Sequence, residues 1–567
     1  MMDFDDLESR LPTAMASFAE LRKDGSVYVD KSAFVQKIAG TRKPQILTRP
    51  RRFGKSTLQS TIKELFLHGV KPYDGHDSYF KGLAIEKLWH DDGQYLVLHL
   101  DFHALNSDSD TVAEFEQNLM ETVTDFSQAN QITIPEKNSF RKRLNALLEQ
   151  LPNRSLVLLI DEFDAPLLYH GDQEQELHAC KLLMRGLFST VKSNSEKFRC
   201  VFFTGITRFQ DLDLGTAGTN FTDISYDEEF ASCCGYTHDE LKQYFAQHLR
   251  YAAALSNGCA MEAVSDAQVV SLLKDMSEWY DGYSFDGTKQ HEVFSTWSVL
   301  RFFANAKATL RPYWVTEEGS GVPQLLKISL DRIDLEPLMA KITKGEVLIG
   351  GQEFLYSSLI NPQANPYSLL FQAGYLTFKE PYDPSDNVHL ACPNKEIIWG
   401  LTNLLVRHFF NLEVDLCTNT SSRKARAALS SLDAEQILDF FNYAIEFLPY
   451  SHNPDNEFWA ADLIILLLFG LGYKPRVEVM PLHGRADCIF DLPGLHTTIV
   501  LEFKFESSSD PKQLDAKLAE ALQQIKDRKY AFNGTSEPRV ARFGLVYCSD
   551  SSERKFVRMA LADQIEL

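Results

Sequence analysis

Two groups of residues in this sequence have the types and spacing for phosphate chemistry. The first is Ile46 to Thr57, ILTRPRRFGKST. An apolar pair, Ile46-Leu47, runs into an arginine-rich turn that closes on Gly54-Lys55-Ser56-Thr57. Leu58, Ile62, Leu65 and Phe66 then follow at helical spacing. Strand, loop, Gly-Lys-Ser/Thr and helix are the parts of a P-loop. Backbone N–H groups and the positive end of a helix would face an anion there. Lys55 would reach the β- and γ-phosphates, and the Ser56 hydroxyl would take a place on Mg²⁺. The usual pattern opens with a glycine five positions before Gly54. Arg49 stands there instead, with Pro50, Arg51 and Arg52 filling the loop. Arg49, Arg51 and Arg52 therefore read as phosphate or partner contacts, and Arg52 with Gly54 to Thr57 as the nucleotide-binding set.

Leu156 to Asp164, LVLLIDEFD, completes a nucleotide site. A continuous apolar run ending in Asp-Glu places carboxylates at the C-terminal end of a buried strand, where open α/β sheets gather their ligands. Asp161 would hold Mg²⁺ through water, and Glu162 would orient and polarise the attacking water. The next strand ends in TGITR. Its Arg208 could stabilise charge at a transferring phosphoryl group, in this subunit or in a neighbouring one. Action across subunits would require a homo-oligomer.

The second group lies some 450 residues further on, by the spacing of the two motifs. GRAD supplies Asp487, and Thr498 to Phe505, TIVLEFKF, supplies Glu502 and Lys504. Two apart on a strand, Glu502 and Lys504 share one face. A charged pair in an otherwise apolar strand is out of pattern. Asp487 and Glu502 would be hard oxygen ligands for Mg²⁺ or Mn²⁺, and Glu457 on a preceding helix would add a third. Lys504 would orient water and offset transition-state charge. Lys512, Lys517, Lys526, Arg528, Lys529, Arg539 and Arg542 follow, and could track a phosphate backbone. By itself, Glu-x-Lys on a strand is also a common exposed cross-strand pair.

The elements that must carry these groups alternate. Strands are expected at Tyr95–Phe102, Leu156–Ile160 and Cys200–Phe203, with helices at Val112–Phe126 and about Glu174–Ser193. This order predicts a parallel, doubly wound sheet. A short strand end at Tyr28–Lys31 and a helix through Ile38 lead into it, and such a leader packs beside a nucleotide base. From Gly235 the pattern turns helical. Thr237 with Glu240 forms a capping box ahead of a helix at Leu241–Leu249. YDGYSFDG, Tyr280–Gly287, is a turn-rich aromatic loop, and Leu369–Phe378 is strand-like after a short helix. Helices resume from Asn394 through Phe447. The last part reads helix (Asn456–Leu471), three strands, a helix (Asp510–Ala531) carrying Gln524 and Tyr530, and a final strand at Gly544–Tyr547. The expected domains are residues 1–235, a P-loop domain; 236–450, a helical lid and connector; and 451–567, a metal-dependent phosphodiesterase-like α/β domain.

Composition bounds the partners. The chain has 567 residues, 44% hydrophobic and 24% charged, ordinary for globular domains and enough for more than one. A net charge of −21 excludes a global basic footprint for nucleic acid, though not a local basic groove. Nine cysteines without a CxxC spacing favour reduced thiols over disulfides or zinc. The acidic N-terminus lacks a signal-peptide pattern. The most apolar run, Leu463 to Leu471, falls short of the about 20 residues a bilayer span needs and reads as a buried helix. A cytoplasmic protein without a membrane partner is expected.

The motif series resembles a known family. YVDKS, LTRPRRFGKST, LLIDEFD and TGITRF, in that order, are similar to the motifs of AAA-ATPase-like proteins. Gly-Tyr-Thr from Gly235, YDGYSFDG, PYWVTEEG and LLFQAGYLTF also fit. The RPRRFGK form is characteristic of that family, so the resemblance removes Arg49 as a defect. The tail resembles a PD-(D/E)xK nuclease module, with Glu457, Asp487, Glu502, Lys504 and Gln524 on its motif. One departure is TGITRFQDLDLGTAGTN, where family members are often richer in Ser and Leu; it leaves open the reading of a polar residue of TGITR as a sensor contacting the γ-phosphate or the water. The resemblance implies a P-loop NTPase sheet with a helical lid, followed by a restriction-endonuclease-like α/β domain. It implies ATP and Mg²⁺ (or Mn²⁺) as cofactors. The function expected is an ATP-binding, ATP-hydrolysing protein coupled to a nuclease acting on DNA or RNA, with defence against foreign DNA as an association. Two other readings stand beside it. One is a nucleotide-switched module whose nuclease-like domain recognises nucleic acid or protein without cutting. The other is an ATPase with a purely structural tail.

Overall fold

A buried parallel strand must be apolar on both faces, and Leu156–Asp161 is buried at all six positions. In the computed structural model that strand is the third of a five-stranded sheet. The structure describes residues 4–13, 15–107, 109–170, 173–207, 221–316, 348–350, 366–382, 387–401, 420–445, 457–471, 473, 475–479, 486–492, 495–528, 539–550 and 554–566. The sheet strands are β1 (Gln45–Thr48), β2 (Leu96–Asp101), β3 (Leu156–Asp161), β4 (Phe198–Gly205) and β5 (Thr222–Asp223). Their spatial order is β2-β3-β4-β1-β5, with every neighbouring pair parallel. This is the doubly wound sheet the alternation predicts. β4 runs between β1 and β3, so the Gly-Lys-Ser end of one and the Asp-Glu end of the other flank the TGIT end of β4.

Crossover helices cover the sheet. They are α1 (Lys55–His68), α2 (Val112–Ala129), α3 (Phe140–Gln150) and α4 (Glu174–Ser193). The first starts at Gly54, whose φ of 94° is open to glycine at little cost. α2 starts on a capping box formed by Thr111 and Glu114. Phe115, Leu119, Phe140, Leu144, Phe188 and Phe203 interlock with the strand residues Leu98, Leu158 and Ile160 in one apolar core. Full burial of each such side chain contributes about 2 kcal/mol.

The chain folds as two compact units: residues 1–331 with 349–397, and 332–348 with 398–567. The first holds the parallel sheet and a helical region. Thr237 and Glu240 form the expected capping box. The helix expected over Leu241–Leu249 is two helices, His238–Tyr244 and Ala246–Asn257, joined at Phe245. Phe245 is buried with Leu241 and Leu249, so the apolar spacing is continuous across a break in the backbone. Helices Asp266–Tyr280 and α5 (Thr296–Phe303) follow. YDGYSFDG opens a hairpin, with Tyr283–Ser284 antiparallel to Glu292–Val293. Gly282 has φ 93°, and a Cβ there would sit 2.4 Å from the Pro393 carbonyl oxygen. The strand expected at Leu369–Phe378 begins as the end of helix Pro366–Gln372, turns at Gly374 with φ 90°, and is strand only at Thr377–Phe378. A short apolar run does not separate a buried helix from a strand.

The second unit contains a five-stranded sheet in sequential order: β6 (Arg476–Val479), β7 (Ala486–Leu492), β8 (Thr497–Glu506), β9 (Arg539–Cys548) and β10 (Lys555–Glu566). All pairs are antiparallel except β8 with β9. The parallel pair is connected through helix α7 (Pro511–Arg528). Strand β10 is missing from the sequence expectation; it lies on the edge, and its charged residues mask a strand pattern. Helix Ala434–Ile445 reaches it through Asn442, which exchanges two hydrogen bonds with the Phe556 backbone at 2.8 and 2.9 Å. Helix α6 (Glu457–Gly470) is buried along Ala460–Leu468, as its uninterrupted apolar run requires. No helix among the described residues is long and apolar enough to cross a membrane. No disulfide joins the eight cysteines among the described residues.

Candidate functional sites

In the first unit, the loop between β1 and α1 is built around its arginines. Arg49 is 2% exposed. Its Nη1 donates to the Thr48 and Ser225 carbonyls at 2.8 and 2.7 Å, and its Nη2 donates to Phe230 O at 2.9 Å. Its guanidinium lies 4.3 Å from the Phe285 ring centroid. The expected phosphate-contact role is therefore not where Arg49 points. A side chain replacing the P-loop glycine leaves backward into the body and ties the loop to the segment after β5. Arg52 has φ 67°, a conformation that costs a non-glycine residue about 1–2 kcal/mol. Neighbouring bonds hold it: Thr296 Oγ1 donates to Arg52 O at 2.5 Å, and Gly235 N donates to Phe53 O at 3.0 Å. The Trp314 indole N–H donates to Arg51 O at 3.2 Å.

Lys55 is buried, and its ammonium donates to the Arg49 and Pro50 carbonyls at 3.1 and 3.0 Å. Gly54, Lys55, Ser56 and Thr57 line a cleft of about 550 Å³ together with Arg52, Glu162 and Trp297. Tyr28, Val29 and Leu21 of the leader and Tyr236 form its apolar side. The expected strand end at Tyr28–Lys31 has no strand pairing; the leader forms cleft wall and then helix Ser32–Gly40.

At the sheet edge, Asp161 accepts a hydrogen bond from Thr204 Oγ1 on β4 and another from the Glu162 N–H at 3.0 Å. Gln59 on α1 donates to Ile160 O and Thr204 Oγ1, each at 2.7 Å. So α1, β3 and β4 are joined by one polar chain just beneath the cleft. Glu162 has φ 49°; such outliers cluster where function over-determines the backbone. Burial raises its pKa, with Asp161 and Asp164 adding to the rise and Lys55 and His103 opposing it. Asp164 is fully buried and accepts from the Ile206 and Thr207 N–H groups at 2.9 and 2.6 Å. Gly205 permits this approach, since a Cβ there would meet Phe163 and Asp164 at 2.6 and 2.7 Å. Gln59 and Asp164 are absent from the sequence expectation, while Thr204 belongs to TGITR, where a polar sensor residue is expected. Asp164 has a signal, the second Asp of LLIDEFD, while Gln59 carries none that spacing reveals. Arg208 lies outside the described residues.

In the second unit, β7 and β8 pair antiparallel with Cys488 opposite Leu501. Asp487 Oδ2 accepts the Phe503 N–H at 2.8 Å. Glu502 is fully buried and Lys504 6% exposed. Lys504 Nζ lies 3.3 Å from Glu457 Oε1 on α6 and 3.6 Å from Glu502 Oε1. Gln524 on α7 donates through Nε2 to Glu502 Oε1. Gly544 pairs with Glu502 in register, and a Cβ on Gly544 would come within 3.0 Å of the Ala521 Cβ. The missing side chain lets α7 sit close to the sheet and brings Gln524 to the carboxylate. Glu457, Glu502, Lys504 and Gln524 thus meet, with Asp487 on the next strand bonded to the Glu502–Phe503 backbone region. The carboxylate donors suit a hard cation. Among the described residues, however, no group of three or more His, Cys, Asp or Glu is assembled to hold a metal ion; Lys504 and Gln524 both contact Glu502 Oε1.

The family model described as predicted AAA-ATPase matches residues 12–215, and that of the PD-(D/E)XK nuclease superfamily matches residues 455–556. The chain is similar to an uncharacterized protein from the vnfD 5′ region of Azotobacter chroococcum (mcd 1). The two are 25% identical over 558 residues, which cover 96% of this chain and 97% of that protein. Residues 12–215 thus carry the pattern of the predicted AAA-ATPase family, and residues 455–556 that of the PD-(D/E)XK nuclease superfamily.

Proposed function

We propose that the protein binds and hydrolyses ATP in the cleft at Lys55 and uses the nucleotide state to gate cleavage of DNA or RNA at Glu502 and Lys504. One observation carries the first half. The start of α1 and Glu162, which follows the end of β3, line one cleft of about 550 Å³, a volume suited to a small ligand; Asp161, next to Glu162 in sequence, accepts a hydrogen bond from Thr204 at the end of β4. In this reading Lys55 exchanges its two carbonyl partners for phosphate oxygens, and α1 presents its N-terminal N–H groups to the same anion. Glu162, with a raised pKa, orients the attacking water and accepts its proton. Ser56 and Asp161 would hold Mg²⁺, which when bound offsets phosphate charge. Tyr28, Val29 and Tyr236 would flank the base.

At the second site, Asp487 and Glu502 would hold the divalent ion, with Glu457 reaching in from α6; such an ion lowers the pKa of bound water. Lys504 would then turn from the carboxylates to water and the scissile phosphate. Gln524 fixes the Glu502 carboxylate against the sheet throughout. A second reading is favoured by the engagement of Glu502 with Lys504 and Gln524: a nuclease-like domain that recognises nucleic acid without cutting. Plasmid and single-stranded RNA incubated with Mg²⁺ or Mn²⁺, with and without ATP, separate the two. Cleavage lost in Asp487→Ala and Lys504→Ala supports the enzyme. Binding without cleavage under every condition supports the second reading and overturns the first.

A further inference from the structure

Trp297, on the first turn of α5, lines the same cleft as Arg52, Lys55 and Ser56. The Arg52 guanidinium lies 4.1 Å from the centroid of its ring, and Arg301 lies 5.4 Å from the same ring. The residue before Trp297 is bonded to the loop as well, through Thr296 Oγ1 and Arg52 O. Arg52 is thus fixed at both ends, its backbone in a left-handed conformation and its head group on an indole face. The ring thus sets where the Arg52 head group stands on the cleft wall.

We propose that Trp297 is a positioning residue of the nucleotide site: its ring holds the Arg52 guanidinium at the cleft for the polyphosphate of the bound nucleotide. The proposal rests on the nucleotide-site reading above and adds to it a residue from the helical region, far from the P-loop in sequence. A tryptophan at this place makes polyphosphate affinity depend on the position of α5. Phosphate binding to Arg52 and Lys55 together would in turn hold α5 against the loop.

The test is the affinity of the full-length protein for ATP and for adenosine, measured on wild type, Trp297→Phe, Trp297→Leu, Arg52→Ala and the Arg52→Ala/Trp297→Leu double variant. Trp297→Phe keeps an aromatic face and is expected to bind ATP like wild type. Trp297→Leu and Arg52→Ala each weaken ATP on the order of tenfold, leave adenosine unchanged, and do not add in the double variant. If Trp297→Leu does not fold, Arg52→Lys replaces it, keeping the charge and losing the planar stack. ATP affinity equal to wild type in Trp297→Leu, or in Arg52→Lys where that replaces it, overturns the proposal, as does equal weakening of ATP and adenosine. Failure of the nucleotide-site reading looks different: wild type binds no ATP, or Lys55→Ala binds it as well as wild type does.

Discussion

The two sites keep a buried lysine in opposite ways. Among the described residues, the hydrogen bonds of Lys55 go to two backbone carbonyls, at the edge of an open cleft. Lys504 is held by two carboxylates, one of them fully buried. The first lysine is poised to exchange weak partners for an arriving anion. The second offsets a charge that the fold has already buried, so its removal takes a positive charge from beside Glu502. Function and stability are therefore nearly separate at the first site and coupled at the second.

Lys504→Ala should show the largest effect. Breaking a buried ion pair by removing one partner costs about 3–5 kcal/mol, visible in denaturant unfolding of the second unit. Adding Glu502→Gln should restore part of that loss. An unchanged transition in Lys504→Ala would erase the contrast between the sites. Arg49→Gly restores the glycine of an ordinary P-loop, yet it removes three charge-assisted bonds to carbonyls. Unfolding of the first unit should become easier by about 3 kcal/mol. A more stable Arg49→Gly protein would show that the arginine cage is not structural.

Lys55→Ala is expected to weaken ATP binding about 100-fold, the scale of losing bonds to a charged group. Its unfolding should shift by no more than about 1 kcal/mol, because water in the cleft can reach the vacated carbonyls. A large loss of stability would make the two lysines alike. The pH dependence sharpens the first site further. Burial raises the Glu162 pKa, and the base must be ionised to accept a proton. ATP turnover should therefore fall on acidification at a pH above the about 4.3 of an ordinary glutamate, and Glu162→Gln should lack that limb. The smallest effect lies outside both sites. His238 Nε2 is 2.8 Å from Asp281 Oδ2, and this hydrogen bond raises the histidine pKa. Its contribution to stability should be full below about pH 6.5 and lost as pH rises through the raised value. The wild type and His238→Gln curves should converge in that direction.

How much of this was legible in the sequence follows from the range of the interactions. Strands β1, β3 and β4 announce themselves as apolar runs ending in polar motifs, and the Thr237 capping box is local. Glu502 and Lys504 stand out because charge breaks an apolar pattern. Tertiary relations are hidden. Nothing near Arg49 in sequence says that its partners are carbonyls at residues 225 and 230. Gln59 reads as an ordinary helix residue until β3 and β4 are placed beside α1. Gly544 reads as a weak strand position until α7 is seen to need its missing side chain. The break at Phe245 and the edge strand β10 escape for a related reason: apolar spacing reports which face is buried, not where the backbone bends or which strand lies outermost.

Gating of the chemistry at Glu502 and Lys504 by nucleotide at Lys55 is the relation on which the proposed function turns. The direct measurement is the rate of plasmid cleavage with Mg²⁺ as ATP is titrated, in wild type and in Lys55→Ala, with Glu502→Gln as the baseline. Gating predicts an ATP-dependent rate in wild type, no ATP dependence in Lys55→Ala, and no cleavage in Glu502→Gln. Cleavage that is indifferent to ATP in wild type, or that survives in Glu502→Gln, would contradict it.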